Sequence, residues 1–124
     1  MPDPRHALGR EVEDAVAEWL RRAGWTVLAR RARSTSGGEV DIVALDPDGV
    51  LVAVEVRARR HTRAGSPVES VDGRRIGRLR RTLVALGPSA PPHRGLRVDL
   101  VAAEPAGGRP GSWRLRRVPG IEAS

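Results

Sequence analysis

The amino-acid sequence predicts an α/β fold built on a mixed five-stranded sheet flanked by helices. Two segments, 7–23 and 73–86, carry apolar residues at helical spacing, and five short stretches that read as strands lie between and after them, Glu39–Leu45 and Val50–Arg57 being β-branched and apolar. The order is helix, three strands, helix, strand, strand. Successive strands with short links favour an antiparallel meander, whereas strand, helix, strand favours a right-handed parallel crossover. A length of 124 residues suits one ordinary core, so residues 1–124 are expected to form a single domain.

Each element has a local reason. From Ala7 to Ala23, Leu8, Val12, Ala15, Val16, Trp19 and Leu20 form an amphipathic stripe, and Gly24 is placed to stop the helix. Trp25–Arg33 reads as a strand, followed by the turn residues of Ser34–Gly38. Glu39–Leu45 and Val50–Arg57 read as interior strands joined by Asp46-Pro47-Asp48-Gly49. A looser segment runs to about Ser70. In the second helix, Gly73–Leu86, Ile76, Leu79, Leu83 and Leu86 form the buried stripe, with Arg74, Arg78 and Arg81 opposite. Leu96–Glu104 and Ser112–Val118 are the last strands, separated by the turn-rich Pro105–Gly111.

Composition narrows the chemistry. With 40% apolar and 30% charged residues the chain has an ordinary globular balance, and no apolar run approaches the length that spans a bilayer. A cytoplasmic protein without membrane contact is expected. The absence of Cys removes thiol nucleophiles, disulfides and thiolate zinc sites, leaving carboxylates and imidazoles for any metal. His6, His61 and His93 have no paired spacing, so they read as surface residues and support no zinc site. No glycine-rich segment opens a helix with a Lys, so phosphate-loop nucleotide binding is unsupported. All 22 basic residues are Arg, which points to a GC-rich coding bias rather than to selection at each site. Their placement is uneven. Arg57–Arg81 holds nine Arg against Glu69 and Asp72, while elsewhere thirteen Arg balance thirteen acids, so this stretch carries the excess of +7. Such a concentration marks either a polyanion partner or a solubilising surface.

The hairpin gathers acids. Pro47 suits the second position of a type I turn, Asp48 the third, and Gly49 the left-handed conformation that follows. In this three-residue loop Asp46 lies opposite Val50, which sets Asp41 opposite Glu55 and Glu39 opposite Arg57 on one face. Val40, Ile42 and Ala44, with Val52, Val54 and Val56, make the other face apolar. Facing carboxylates on interior strands signal a cation between them or one raised pKa; the alternative is a salt-bridged solvent face of Glu39, Asp41, Glu55 and Arg57. Mg²⁺, with Mn²⁺ as substitute, suits two carboxylates completed by water and phosphate. Glu13, at the margin of the first helix's stripe, is expected to point along the same face, or else to pair with a nearby Arg.

Glu13, then Gly38-Glu39-Val40-Asp41-Ile42-Val43, then Val54-Glu55-Val56-Arg57 resemble the divided acidic motif of restriction-endonuclease-like nucleases. The chain as a whole is similar to the YraN family of small bacterial proteins, which in turn resemble archaeal Holliday junction resolvases. The likeness runs from Leu8-Gly9-Arg10 through Gly24-Trp25, both hairpin strands and Gly65–Val71 to Arg97-Val98-Asp99-Leu100-Val101. It implies a restriction-endonuclease-like core, with Asp41 and Glu55 as metal carboxylates, Glu13 as an accessory catalytic acid, and Arg57 where nucleases carry a catalytic Lys. Arg57 departs from the pattern in charge chemistry, since a guanidinium stays protonated and serves only as a clamp. Val12 and Val98 depart from it in size.

The expected function is therefore nucleic-acid binding on an endonuclease-like fold, with Mg²⁺-dependent phosphodiester hydrolysis on duplex or branched DNA as the leading activity. The alternatives are a catalytically weakened DNA-binding module and a basic adaptor for an acidic protein. The phosphate-contacting residues are expected to be Arg59, Arg60, Arg74, Arg78 and Arg81. No aromatic residue interrupts that stretch, which favours backbone contact with duplex or junction DNA over base stacking on single strands. A homodimer is compatible with the sequence.

Overall fold

A computed structural model describes residues 4–35, 38–58, 71–107, 109 and 111–122. Its elements are α1 (Pro4–Arg22), β1 (Thr26–Arg33), β2 (Glu39–Leu45), β3 (Leu51–Ala58), α2 (Gly73–Leu86), β4 (Leu96–Pro105) and β5 (Trp113–Val118). One short 3₁₀ turn at Gly87–Ser89, absent from the sequence reading, follows α2, with Pro88 starting it. The five strands lie in chain order, β1-β2-β3-β4-β5. All neighbours are antiparallel except β3 and β4, which are parallel because α2 lies between them in the chain.

The turn sets the register as expected. Asp46 N–H donates to the Val50 carbonyl at 3.0 Å, Gly49 takes φ 87°, and Ile42 pairs with Val54, Ala44 with Val52 and Leu45 with Leu51. The Asp46 side chain secures the loop by accepting from the N–H groups of Asp48 and Val50.

Alternation along the strands divides the core between two layers. Ile42, Ala44, Val52, Val54, Val101 and Ala103 pack under Val12, Val16, Ala17 and Leu20 of α1. Val43, Leu51, Ala53, Val98 and Leu100 pack under Ile76, Leu79 and Leu83 of α2. Val40 corrects the sequence reading: it joins the α2 layer rather than Ile42 and Ala44, so the apolar alternation breaks just before Asp41. Gly38 enters β2 against α2, and a Cβ at that position would run into the Thr82 hydroxyl. Glycine is required there by close approach.

A buried polar network ties the start of β4 to the hairpin and the C-terminal segment. Asp99 is fully buried and receives Arg97 Nε at 2.7 Å, Arg97 Nη2 at 3.1 Å, Arg117 Nη1 at 3.0 Å and the Gly120 N–H at 3.0 Å. Arg97 also reaches Asp46 at 2.9 Å, and both guanidiniums lie over the Trp25 ring, Arg97 at 6.0 Å and Arg117 at 5.2 Å. Two of the stretches that carry the family likeness, Gly24-Trp25 and Arg97-Val98-Asp99, thus meet in one structural lock.

Candidate active site

The β2–β3 ladder runs as far as Ile42 and Val54, and the next facing positions are Asp41 and Glu55. Here a side chain takes over from the backbone: the Val56 N–H donates to Asp41 Oδ2 at 2.9 Å. The two carboxyl groups lie close enough that each reshapes the other's proton affinity. Asp41 is pushed up to about 8, first by burial, then by the Glu55 hydrogen bond and charge, against the opposing Val56 N–H. Burial pushes Glu55 up as well, but hydrogen bonds from Arg75 and Asp41, with the charges of Arg75 and Arg57, outweigh it and hold Glu55 below the usual range. Burial and the neighbouring Glu55 thus favour the protonated form of Asp41, while Arg75 favours the ionised form of Glu55.

Arg75 is the residue that the sequence reading missed. Its Nε and Nη2 reach the two Glu55 oxygens at 2.6 and 3.3 Å, while its backbone N–H is capped by Asp72 at 2.8 Å. A signal existed, because Arg75 precedes Leu79 and Thr82 at i+4 and i+7 and so interrupts the buried stripe of α2 with a charge. A charge within an apolar stripe calls for a buried partner.

Arg57 stands beside Glu55, whose carboxylate its charge helps to ionise. Its Nε is buried and has no hydrogen-bond partner among the described residues. The pairing of Glu39 with Arg57 considered from the register is not formed: Glu39 bonds instead to Arg33, across the β1–β2 pair, at 3.2 Å. Nearness to the end of β1 decides that choice.

Glu13 does not join the pair. The expectation that the three acids share one side of the sheet is corrected, because α1 covers the Ile42–Val54 face while Asp41 and Glu55 alternate to the α2 face. Glu13 is held by Arg31 at 3.3 Å and Arg30 at 3.9 Å. Its charge still raises Asp41, as the smallest of the influences on it. Among the described residues, no group of three or more His, Asp or Glu side chains is gathered for a metal. Arg74, Arg78 and Arg81 are exposed along α2 as expected, with Arg80 beside them. Arg59 and Arg60, and the Gly65–Ser70 part of the family likeness, lie outside the described residues.

A mixed five-stranded sheet with a helix on each face defines an α/β protein consistent with a restriction-endonuclease-like core. Residues 12–103 match the family described as "Uncharacterised protein family UPF0102", also called YraN, and the chain belongs to that family. It is similar to a UPF0102 protein of Symbiobacterium thermophilum, 42% identical over 115 residues that cover 90% of this chain and 92% of that protein. A UPF0102 protein of Anaeromyxobacter dehalogenans is 42% identical over 130 residues, covering 90% and 93%. One from Acidothermus cellulolyticus is 48% identical over 81 residues, covering 65% and 60%. Among the described residues no helix is long and apolar enough to cross a membrane.

Proposed function

We propose that the protein is a DNA phosphodiesterase whose reaction centre is the Asp41–Glu55 pair, acting on duplex or branched DNA with Mg²⁺. The observation that carries this reading is a facing carboxyl pair on interior strands, Asp41 and Glu55, beside a buried Arg57 Nε that has no hydrogen-bond partner among the described residues. Mg²⁺ commonly takes one or two carboxylates and completes its shell with water and phosphate, so the residue types fit the ion. Asp41 and Glu55 would hold it, and when bound it supplies Lewis-acid charge to the phosphate and lowers the pKa of a nearby water. Arg57 contributes a fixed positive charge for the phosphate oxygens as negative charge builds on them. Arg75 covers Glu55, so freeing that carboxylate requires its guanidinium to find another anion, and a DNA phosphate serves. The exposed Arg74, Arg78 and Arg81 extend the positive surface along α2.

A second reading, a DNA-binding module without chemistry, draws on the same Arg75. Its two hydrogen bonds satisfy Glu55 with no metal present. Labelled duplex and four-way-junction DNA, titrated with Mg²⁺ or Mn²⁺, separates the two. The nuclease predicts metal-dependent strand breaks that Asp41→Asn and Glu55→Gln abolish while DNA is still retained; the module predicts retention without breaks in wild type. Each true phosphate contact adds about 0.9 to the slope of log affinity against log salt on duplex DNA. Replacing Arg74, Arg78 and Arg81 together by Gln should therefore flatten that slope. An unchanged slope would point to an acidic protein partner instead.

A further inference from the structure

On the α1 side of the molecule, a crevice of about 380 Å³ opens between α1 and β1, lined by Arg10, Asp14, Arg30 and Arg31. Consecutive residues of a strand point to opposite faces, yet Arg30 and Arg31 both reach the Glu13 carboxylate. Backbone conformation explains it. Arg31 has φ 52°, the only positive φ at a non-glycine position among the described residues, downstream of a register shift in β1 between Val27 and Ala29. A left-handed non-glycine residue inside a strand is strained, and such strain persists where surrounding structure enforces it, commonly at binding and active sites. Here it turns a second guanidinium to the same side as the first.

The acids already present position this cluster without neutralising it. Asp14 holds Arg30 at 2.6 Å and Glu13 holds Arg31 at 3.3 Å, while Arg10, about one turn from both acids on α1, makes no ion pair with a described residue. Three guanidiniums against two carboxylates leave one positive charge in an open, polar crevice. One singly charged anion with several oxygens matches it, and the planar guanidinium fork suits a phosphate. The crevice also lies beside Glu13, which both strand guanidiniums reach.

We infer that the Arg10–Arg30–Arg31 crevice binds one phosphodiester of the DNA on which the Asp41–Glu55 pair acts. The inference rests on the DNA reading above and deepens it: it adds a strand-positioning site on the α1 side, apart from the basic face of α2. The test is metal-free duplex binding by fluorescence anisotropy over a range of salt, with wild type, Arg10→Gln, Arg30→Gln and Arg31→Gly, each checked by thermal melting. Arg10→Gln should lower the salt slope by about 0.9, the value of one phosphate contact. Arg31→Gly is the informative variant, because glycine accepts a positive φ without strain. It should melt no lower than wild type while its salt slope falls, whereas a purely structural role for Arg31 predicts a lower melting temperature and an unchanged slope. Unchanged slopes in all three variants, with wild type still binding DNA, would overturn the crevice and leave the carboxyl-pair reading standing. Absence of DNA binding by wild type would overturn both.

Discussion

Asp99→Ala is expected to cost about 3–5 kcal/mol, the usual consequence of removing one partner from a buried ionic network. The carboxylate is fully buried and is the common acceptor for Arg97, Arg117 and the Gly120 N–H. Its loss strands two guanidiniums next to the Trp25 ring and releases the segment that returns through the Ile121 N–H bond to Val98. Urea unfolding measures the effect. Asp46→Ala should cost less, because Asp46 shares only one of the Arg97 nitrogens and its other bonds are local to the turn. Equal losses in the two variants would mean that the hairpin, not Asp99, anchors this network.

Arg57→Ala is expected to lower metal-dependent cleavage by about 10²–10³, the range seen when one preorganised transition-state donor is removed, while leaving most DNA retention intact. Its buried Nε has no partner among the described residues, so its truncation leaves no described acceptor newly unsatisfied. Stability should change little. Glu39→Gln is the control, because Glu39 pairs with the exposed Arg33 and such a pair contributes at most about 1 kcal/mol. Cleavage by Glu39→Gln should match wild type. Robust cleavage by Arg57→Ala would remove the clamp role assigned to it, and a large melting loss would make Arg57 structural.

Strand and helix positions were legible because their causes are local. Period-two and helical patterns, a Pro-Asp-Gly turn and a Gly49 able to take positive φ were enough to set the β2–β3 register, and with it the meeting of Asp41 and Glu55. What escaped depends on which neighbour is nearest in three dimensions. Nothing in the hairpin says that Arg33 rather than Arg57 will take Glu39, or that Arg75 will cross from α2 to Glu55. The layer assignment of α1 was equally non-local: an amphipathic stripe says that a helix is covered, not which face of the sheet covers it. Glu13 was misplaced for that reason. The left-handed Arg31 had no signal either, since glycine or Asn would have announced it and Arg does not.

A cation site at Asp41 and Glu55 has a pH signature whose sign follows from the raised proton affinity of Asp41. Unfolded Asp41 loses its proton near 3.8, whereas burial and Glu55 hold that proton in the folded protein to about 8. Asp41 therefore supports folding fully below about 4, and this contribution is lost as pH rises toward about 8. Glu55, held low chiefly by Arg75 against the cost of burial, contributes in the opposite sense, losing its share as pH falls. A cation that takes both carboxylates must displace the Asp41 proton, so its affinity should climb about tenfold per pH unit until that proton is gone. Calorimetric Mn²⁺ titration of wild type, Asp41→Asn and Glu55→Gln, repeated from pH 6 to 9 in buffers of different ionisation enthalpy, is the direct measurement. The expected result is one Mn²⁺ per wild-type chain, about one proton released on binding below about pH 8, affinity levelling off above that point, and loss of binding in both variants. Failure of wild type to bind Mn²⁺ at the alkaline end, or binding that survives both substitutions, would contradict it.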